Sequence, residues 1–184
     1  MSVENRPLLG SLLFIGAAQI VLVMTVAEAL YPGYNMATNY ISDLGVGSTA
    51  LLFNASAVVF GVMLLLGAVF GRRTLGTLLT ITVALSGAAV VGVGLFPETT
   101  GALHLISAIV AFGLGAVSAI LSYRVTRRPL SYFSVVLGVI ALVALVLFVA
   151  HYDPGIGRGG IERVLAYSVL LWVLGFGGAM IGSK

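Results

Sequence analysis

The sequence predicts an all-α fold, a polytopic membrane protein crossing the bilayer as a bundle of six helices with both termini in the cytoplasm. Three observations lead there. Hydrophobic residues make up 60% of the 184 positions and charged residues only 8%, whereas a soluble domain carries about 25% charged residues to keep its surface wet. Six apolar segments each approach the roughly 20 residues a helix needs to cross the hydrocarbon core. Lys and Arg fall on alternate sides of those segments, as they do around cytoplasmic loops.

The first segment, Leu8–Leu30, begins after Glu4, which spoils the basic start of a signal peptide. No clear cleavage site follows, so it reads as a retained helix. The next stretch, Tyr31–Ala50, holds Tyr31-Pro32-Gly33, two asparagines, Ser42, Asp43 and Gly45. Its composition predicts a short interfacial helix over Met36–Leu44, ended by Gly45. Leu51–Gly71 and Thr74–Phe96 are the second and third spans, joined by a tight turn at Arg72-Arg73. After Phe96–Gly101 comes Ala102–Tyr123, where Ser107, Ala111, Gly115 and Ala119 recur every four residues. Such a stripe lets backbones approach closely and predicts that the fourth helix sits centrally. Gly67/Gly71 and Gly178/Gly182 repeat the spacing, for packing within the bundle or for dimerisation. Ser131–Ala150 and Ile161–Ile181 complete the set, separated by the glycine-rich His151–Gly160. Helix is the expected form throughout, because backbone groups in hydrocarbon must bond internally. Residues 1–184 read as one domain, with no room for a separate soluble one.

Each odd-numbered helix exits through an aromatic residue followed by Pro and Gly: Tyr31-Pro32-Gly33, Phe96-Pro97 with Gly101, and Tyr152-Asp153-Pro154-Gly155. Ordinary helix-stop chemistry and the aromatic belt account for this pattern. Three helical hairpins of common origin are the alternative.

Arg6, Arg72, Arg73, Arg124, Arg127, Arg128 and Lys184 lie on one side, which is therefore cytoplasmic. Only Arg158 and Arg163 lie on the other. Glu28, Asp43, Glu98, Asp153 and Glu162 gather at or beyond the outer ends of the spans. The absence of cysteine excludes disulfides, thiolate metal sites and cysteine nucleophiles. No Gly-x-Ser-x-Gly elbow, P-loop or His-Glu-x-x-His is present. No basic surface interleaved with aromatics suggests nucleic acid. The midplane carries Gln19 but no ionisable group, which argues against an ion-coupled transporter.

The most distinctive segment is Asn39-Tyr40-Ile41-Ser42-Asp43-Leu44-Gly45. On a helix, Asn39 and Asp43 would share a face. Asn54 enters the second helix about a turn below the surface and must find hydrogen-bond partners there. Asn39, Asp43 and Asn54 either form a polar seat for a ligand or cap helices and hold the loop down. Glu28, about a turn inside the first helix, needs a partner; His104, Arg158 and Arg163 are available. Both histidines, His104 and His151, lie at the outer side. Paired imidazoles suit a metal, haem b or shared acid–base work, with Glu98, Asp43 or Asp153 as a third zinc ligand. The plainer reading makes each an interfacial residue. Gly155–Gly160, with Arg158 and Arg163, offers backbone N–H groups to an anion such as a lipid headgroup, or is simply a flexible turn with snorkelling arginines.

The order of these motifs (Asn-x-x-Ser-Asp-Leu-Gly after the first helix, Leu52-Phe53-Asn54 opening the second, Phe96-Pro97 ending the third, Gly101-x-x-His104 opening the fourth) resembles the bacterial and archaeal membrane family catalogued as domain of unknown function 998. Asn39, Ser42, Asp43, Leu44, Gly45, Asn54, Pro97 and His104 carry the resemblance, which covers nearly the whole chain except Tyr152–Arg163. It implies the six-helix fold and no established activity or cofactor. Alkaline ceramidases are also helical bundles with Ser, Asp and His near one membrane face. Their third zinc-binding histidine and His-x-x-x-His pair have no counterpart here, which argues against that chemistry.

The functional expectation is a multi-pass protein of the cell membrane with an outward-facing polar pocket for a lipid or small amphiphile. Asp43 and His104 are its acid–base candidates, and Asn39, Ser42, Asn54, Glu28 and Arg158 its ligand-binding candidates. A metal or haem protein using His104 and His151 is one alternative. A non-catalytic subunit or scaffold of a membrane complex or homo-oligomer is another. Membrane lipids are the expected surroundings, with no nucleic-acid partner.

Overall fold

The structure is a computed structural model that describes residues 5–182; Glu4 and Lys184 lie outside the described residues. It contains six long helices: α1 Arg6–Leu30, α2 Ala50–Leu75, α3 Thr77–Leu95, α4 Ala102–Leu121, α5 Leu130–Val149 and α6 Arg158–Gly182. All six are long and apolar enough to cross a membrane, and the protein is a multi-pass membrane protein. Pro7 sits in the first turn of α1, where its missing N–H leaves no bond unmade. α2 runs past Arg72 and Arg73 to Leu75, and Gly76, at φ 74°, turns the chain directly into α3. The expected turn at Arg72-Arg73 is thus the last turn of a helix, where cations oppose the negative end of the dipole.

Sequence neighbours pack against one another around a ring that α1 and α6 close, and α4 also reaches across to α6. α6, rather than α4, is the central helix. It is 56% buried along its apolar span, against 33% for α4 and 22% for α5. The expectation for α4 fails because its small-residue stripe occupies one face. That face meets α3 and α6: Ser86 Oγ donates to Ala111 O at 2.8 Å, and Gly115 packs on Val169. Leu103, Leu105, Ile106 and Val110 of α4 face outward. α6 instead buries Leu165, Ala166, Val169, Val173 and Phe176 on several sides.

Two helix crossings depend on missing side chains. A Cβ on Gly10 would stand 2.6 Å from Gly177 O, and one on Gly61 would stand 2.6 Å from Gly87 O. Gly67 and Gly71 receive Leu13 and Leu9 of α1, so this pair serves the bundle itself. Gly178 only grazes Phe14, and nothing lies near Gly182. Near mid-membrane, Gln19 and Ser56 bond reciprocally: Ser56 Oγ donates to Gln19 Oε1 at 2.8 Å and Gln19 Nε2 donates to Ser56 O at 3.1 Å. Exchanged bonds of this kind satisfy polar groups that hydrocarbon would leave unpaired.

Candidate functional site

The chain between α1 and α2 folds over one end of the bundle, together with the α3–α4 and α5–α6 connections. It is not the helix expected over Met36–Leu44. The backbone makes a turn near Asn35–Asn39 and a 3-10 turn only over Ser42–Gly45. Local side chains compete with helix formation there. Asn35 Oδ1 accepts Ala37 N–H at 2.9 Å, and Asn39 Oδ1 accepts Asn35 N–H at 3.0 Å. The carbonyls a helix would use are drawn to α6 instead: Arg163 takes Met36 O and Asn39 O, and Gly159 N–H takes Ala37 O.

Arg163 is the hub that holds this cover. It is 7% exposed. Its guanidinium donates to Met36 O at 2.8 Å, Asn39 O at 2.9 Å, Gly159 O at 2.9 Å, Tyr34 Oη at 2.6 Å and Glu28 Oε1 at 2.7 Å. Glu28 thus finds Arg163, rather than His104 or Arg158, as its partner, and the pair is almost wholly buried. Tyr34 Oη donates onward to Tyr40 O at 2.7 Å. Burial, opposed by the nearby Arg163, pushes the Tyr34 phenol up to about 12, so it keeps the proton it donates. Beside Arg163, the buried Glu162 turns the other way and accepts the N–H groups of Ile41 and Ser42.

Asp43 carries the other half of the site. Its Oδ2 accepts Asn39 Nδ2 at 2.9 Å and Tyr40 N–H at 3.0 Å, so the four-residue spacing does bring Asn39 and Asp43 together. Its carboxyl also meets that of Glu98, from the turn between α3 and α4, and Ser42 bonds the same Glu98. Burial first, then the hydrogen bond and charge of Asp43, pushes Glu98 up to about 7. The two carboxyls line a recess of about 240 Å³ with Tyr31, Val46 and Thr99. His104 attaches to the same α3–α4 corner, its Nδ1 lying 2.8 Å from Phe96 O. A carbonyl can only accept, so Nδ1 carries a proton. Asn54 Nδ2 donates to Gly45 O at 2.9 Å and pins the end of the 3-10 turn, while its buried Oδ1 has no partner.

The remaining candidates lie apart from this recess. Arg158 and His151 are exposed and line a separate small recess with Tyr40, Leu147, Phe148 and Ile161. The N–H groups of the glycine-rich loop are already used. Asp153 Oδ1 accepts those of Gly155, Ile156 and Gly157 at 2.8, 3.0 and 3.0 Å, and these bonds hold its carboxyl below the usual range. The loop is therefore closed on its own aspartate rather than open to an anion. Among the described residues, no group of three or more His, Asp or Glu is placed to hold a metal ion.

The sequence offers Arg163 as one of three partners for Glu28, but not its bonds to the covering segment, the Asp43–Glu98 pairing or the roles of Glu162 and Tyr34. The signal that finds Glu162 and Arg163 is the one that singled out Glu28: ionisable residues within an apolar span. That signal is weak for a span beginning at Ile161, which puts both at the water's edge. The helix begins at Arg158, which carries both deeper.

The model of the family described as Protein of unknown function (DUF998) matches residues 14–179. No curated protein and no solved structure matches the chain.

Proposed function

This chain belongs to the DUF998 membrane family, and from its own side chains we propose that it is an outward-facing receptor for an amphiphile whose head group is a protonated amine. The head sits between Asp43 and Glu98. The cell membrane places this end outside, following the Lys and Arg distribution.

The observation that carries the reading is an acid pair without a base. Among the described residues, the ion pair formed is Arg163–Glu28, while Asp43 and Glu98 share hydrogen bonds with each other, Asn39, Tyr40 and Ser42. Two adjacent carboxyls cannot both ionise easily. An ammonium group supplies the missing positive charge and up to three donors. Asn39 and Ser42 hold the pair in place, and His104 braces the corner from which Glu98 projects.

The test is the melting temperature of the protein in neutral maltoside micelles, titrated with dodecylamine or with uncharged dodecanol. Dodecylamine is expected to raise it and dodecanol not, with the difference lost in Asp43→Asn and Glu98→Gln. Equal responses to the two additives, or a difference that survives both substitutions, would overturn the proposal.

A further inference from the structure

The end of the bundle opposite the acidic recess carries a different chemistry. There α1 begins, α2 passes into α3, α4 passes into α5 and α6 ends. Arg6, Arg72, Arg73, Arg124, Arg127 and Arg128 all lie at this end, and among the described residues no Asp or Glu does. The Lys and Arg distribution places it in the cytoplasm, against a leaflet whose surface potential is negative.

Two of these arginines reach one recess from separate elements. Arg6, in the first turn of α1, and Arg127, in the α4–α5 connection, line a hollow of about 410 Å³ that the end of α6 completes. Val125, Leu130 and Met180 supply apolar wall. The Arg127 side is a fixed turn. Thr126 donates its N–H and its hydroxyl to Ser122 O at 3.1 and 2.7 Å. Ser122 Oγ accepts the indole N–H of Trp172 at 2.9 Å, which ties that turn to α6. Among the described residues, neither guanidinium is paired with a carboxylate. Neighbouring Arg128 has an occupation of its own, 5.0 Å from the centroid of the Tyr132 ring.

A second basic recess, of about 340 Å³, is lined by Arg72 and Arg73. These two are consecutive on one helix, where side chains do not face each other, and they already answer the dipole at the end of α2. Arg6 and Arg127 have no such explanation. Arg6 stands at the positive end of the α1 dipole with no acid in that turn, where a cation is unfavourable.

Two guanidinium groups beside an apolar wall at the membrane surface suit a phosphate that carries hydrocarbon. Guanidinium groups bind phosphate oxygens bidentately, and basic pockets between helices on the cytoplasmic side receive acidic headgroups. A zwitterionic headgroup suits it less, because its ammonium meets a second cation and no carboxylate. We propose that this recess binds the headgroup of an anionic phospholipid of the inner leaflet, with Arg6 and Arg127 on its phosphate. The site is separate from the outer acidic recess and does not depend on what binds there.

The test follows the melting temperature of the whole protein in neutral maltoside micelles against added phosphatidylglycerol, phosphatidylcholine or inorganic phosphate. Phosphatidylglycerol should raise it and the other two should not. Arg6→Gln or Arg127→Gln should each raise the half-saturating mole fraction of phosphatidylglycerol about tenfold. The pair Arg72→Gln with Arg73→Gln removes as much charge from the same end as Arg6→Gln with Arg127→Gln, and should leave the response in place. Melting curves without lipid establish which variants are folded, and either single substitution suffices. Native mass spectrometry of the wild type needs no variant and should show phosphatidylglycerol retained in preference to phosphatidylcholine. Equal responses to the two lipids, or no preference in the retained lipid, would overturn the proposal. So would a response that falls as far in the Arg72 and Arg73 control, which would mark diffuse attraction rather than a site. A rise produced by inorganic phosphate alone would assign the recess to the free anion and overturn the lipid.

Discussion

Replacing Arg163 with Met tests the cover most directly. The substitution keeps an unbranched apolar stem but removes a guanidinium that makes five hydrogen bonds. Glu28, whose side chain is 7% exposed, would be left as a buried carboxylate without a counter-charge, and breaking such a pair costs about 3–5 kcal/mol. Met36 O and Asn39 O would also lose their donor. If the covering segment lifts, water satisfies them; if it stays, each unmade bond costs about 1–3 kcal/mol. The two penalties do not simply add, because lifting the segment relieves both. The double variant Arg163→Met with Glu28→Gln separates them. It removes the stranded charge but not the two orphaned carbonyls, so its loss should be smaller than the single variant's, at most about 2–6 kcal/mol if the segment stays down. Unfolding free energies from titration with dodecyl sulfate in mixed micelles give both numbers. Amide hydrogen exchange over residues 34–45 should accelerate in each variant. A single variant within about 1 kcal/mol of wild type, or a double variant as unstable as the single, would refute the assignment of Arg163 as a charge-compensated latch.

The Glu98 carboxyl predicts a pH dependence with a definite sign. Its pKa is raised from 4.5 to about 7 in the folded protein. Between those values the unfolded chain has released the proton and the folded chain keeps it, so stability should fall as pH rises through that window. Melting curves from pH 4 to 8 should show this decline, and Glu98→Gln should flatten it. A rise in wild-type stability over the same window that Glu98→Gln leaves unchanged would contradict the burial argument. Gly45→Ala should destabilise the cover, because its Cβ would stand 2.6 Å from Asn54 Oδ1 while Asn54 is tethered by its bond to Gly45 O. Crowding of this kind costs about 1–3 kcal/mol, and Asn54→Ala in the same chain should recover part of the lost melting temperature.

The six spans could be read from the sequence because each is an independent solution to one problem: a helix must match the thickness of hydrocarbon. That signal is local and needs no partner. The Asn39–Asp43 bond was legible for a similar reason, since a tight turn brings such neighbours together even where no helix forms. The position of α6 was harder. Gly159 and Gly160 read as loop because glycine weakens helices. In the folded chain, however, a Cβ on Gly159 would collide with the Asn39 carbonyl, so glycine is needed where the cover meets the helix. The Asp43–Glu98 and Glu28–Arg163 contacts join residues 55 and 135 positions apart. No spacing rule reaches that far, and only the order in which the helices close the ring brings these groups to one place.

The proposed receptor and a passive scaffold make different demands on the charges around that place. Arg163 lies next to Glu162 in sequence yet bonds Glu28, while Glu162 is satisfied by backbone N–H groups. Holding the cover down therefore accounts for Glu28, Arg163 and Glu162. Glu98 also ties the cover to the α3–α4 corner through Ser42 and Asp43, but that task does not require an acid. Asp43 already has Asn39 and Tyr40 to stabilise the turn, and a glutamine at position 98 could donate to Asp43 without a shared proton. With its pKa raised to about 7, a carboxyl there lowers the stability of the folded state near neutral pH. An amine head group turns the same arrangement into an attraction, because one positive charge relieves the repulsion between two acids. Both readings expect Glu98→Gln to stabilise the empty protein near neutral pH. Only the receptor reading expects that gain to come with loss of the response to dodecylamine.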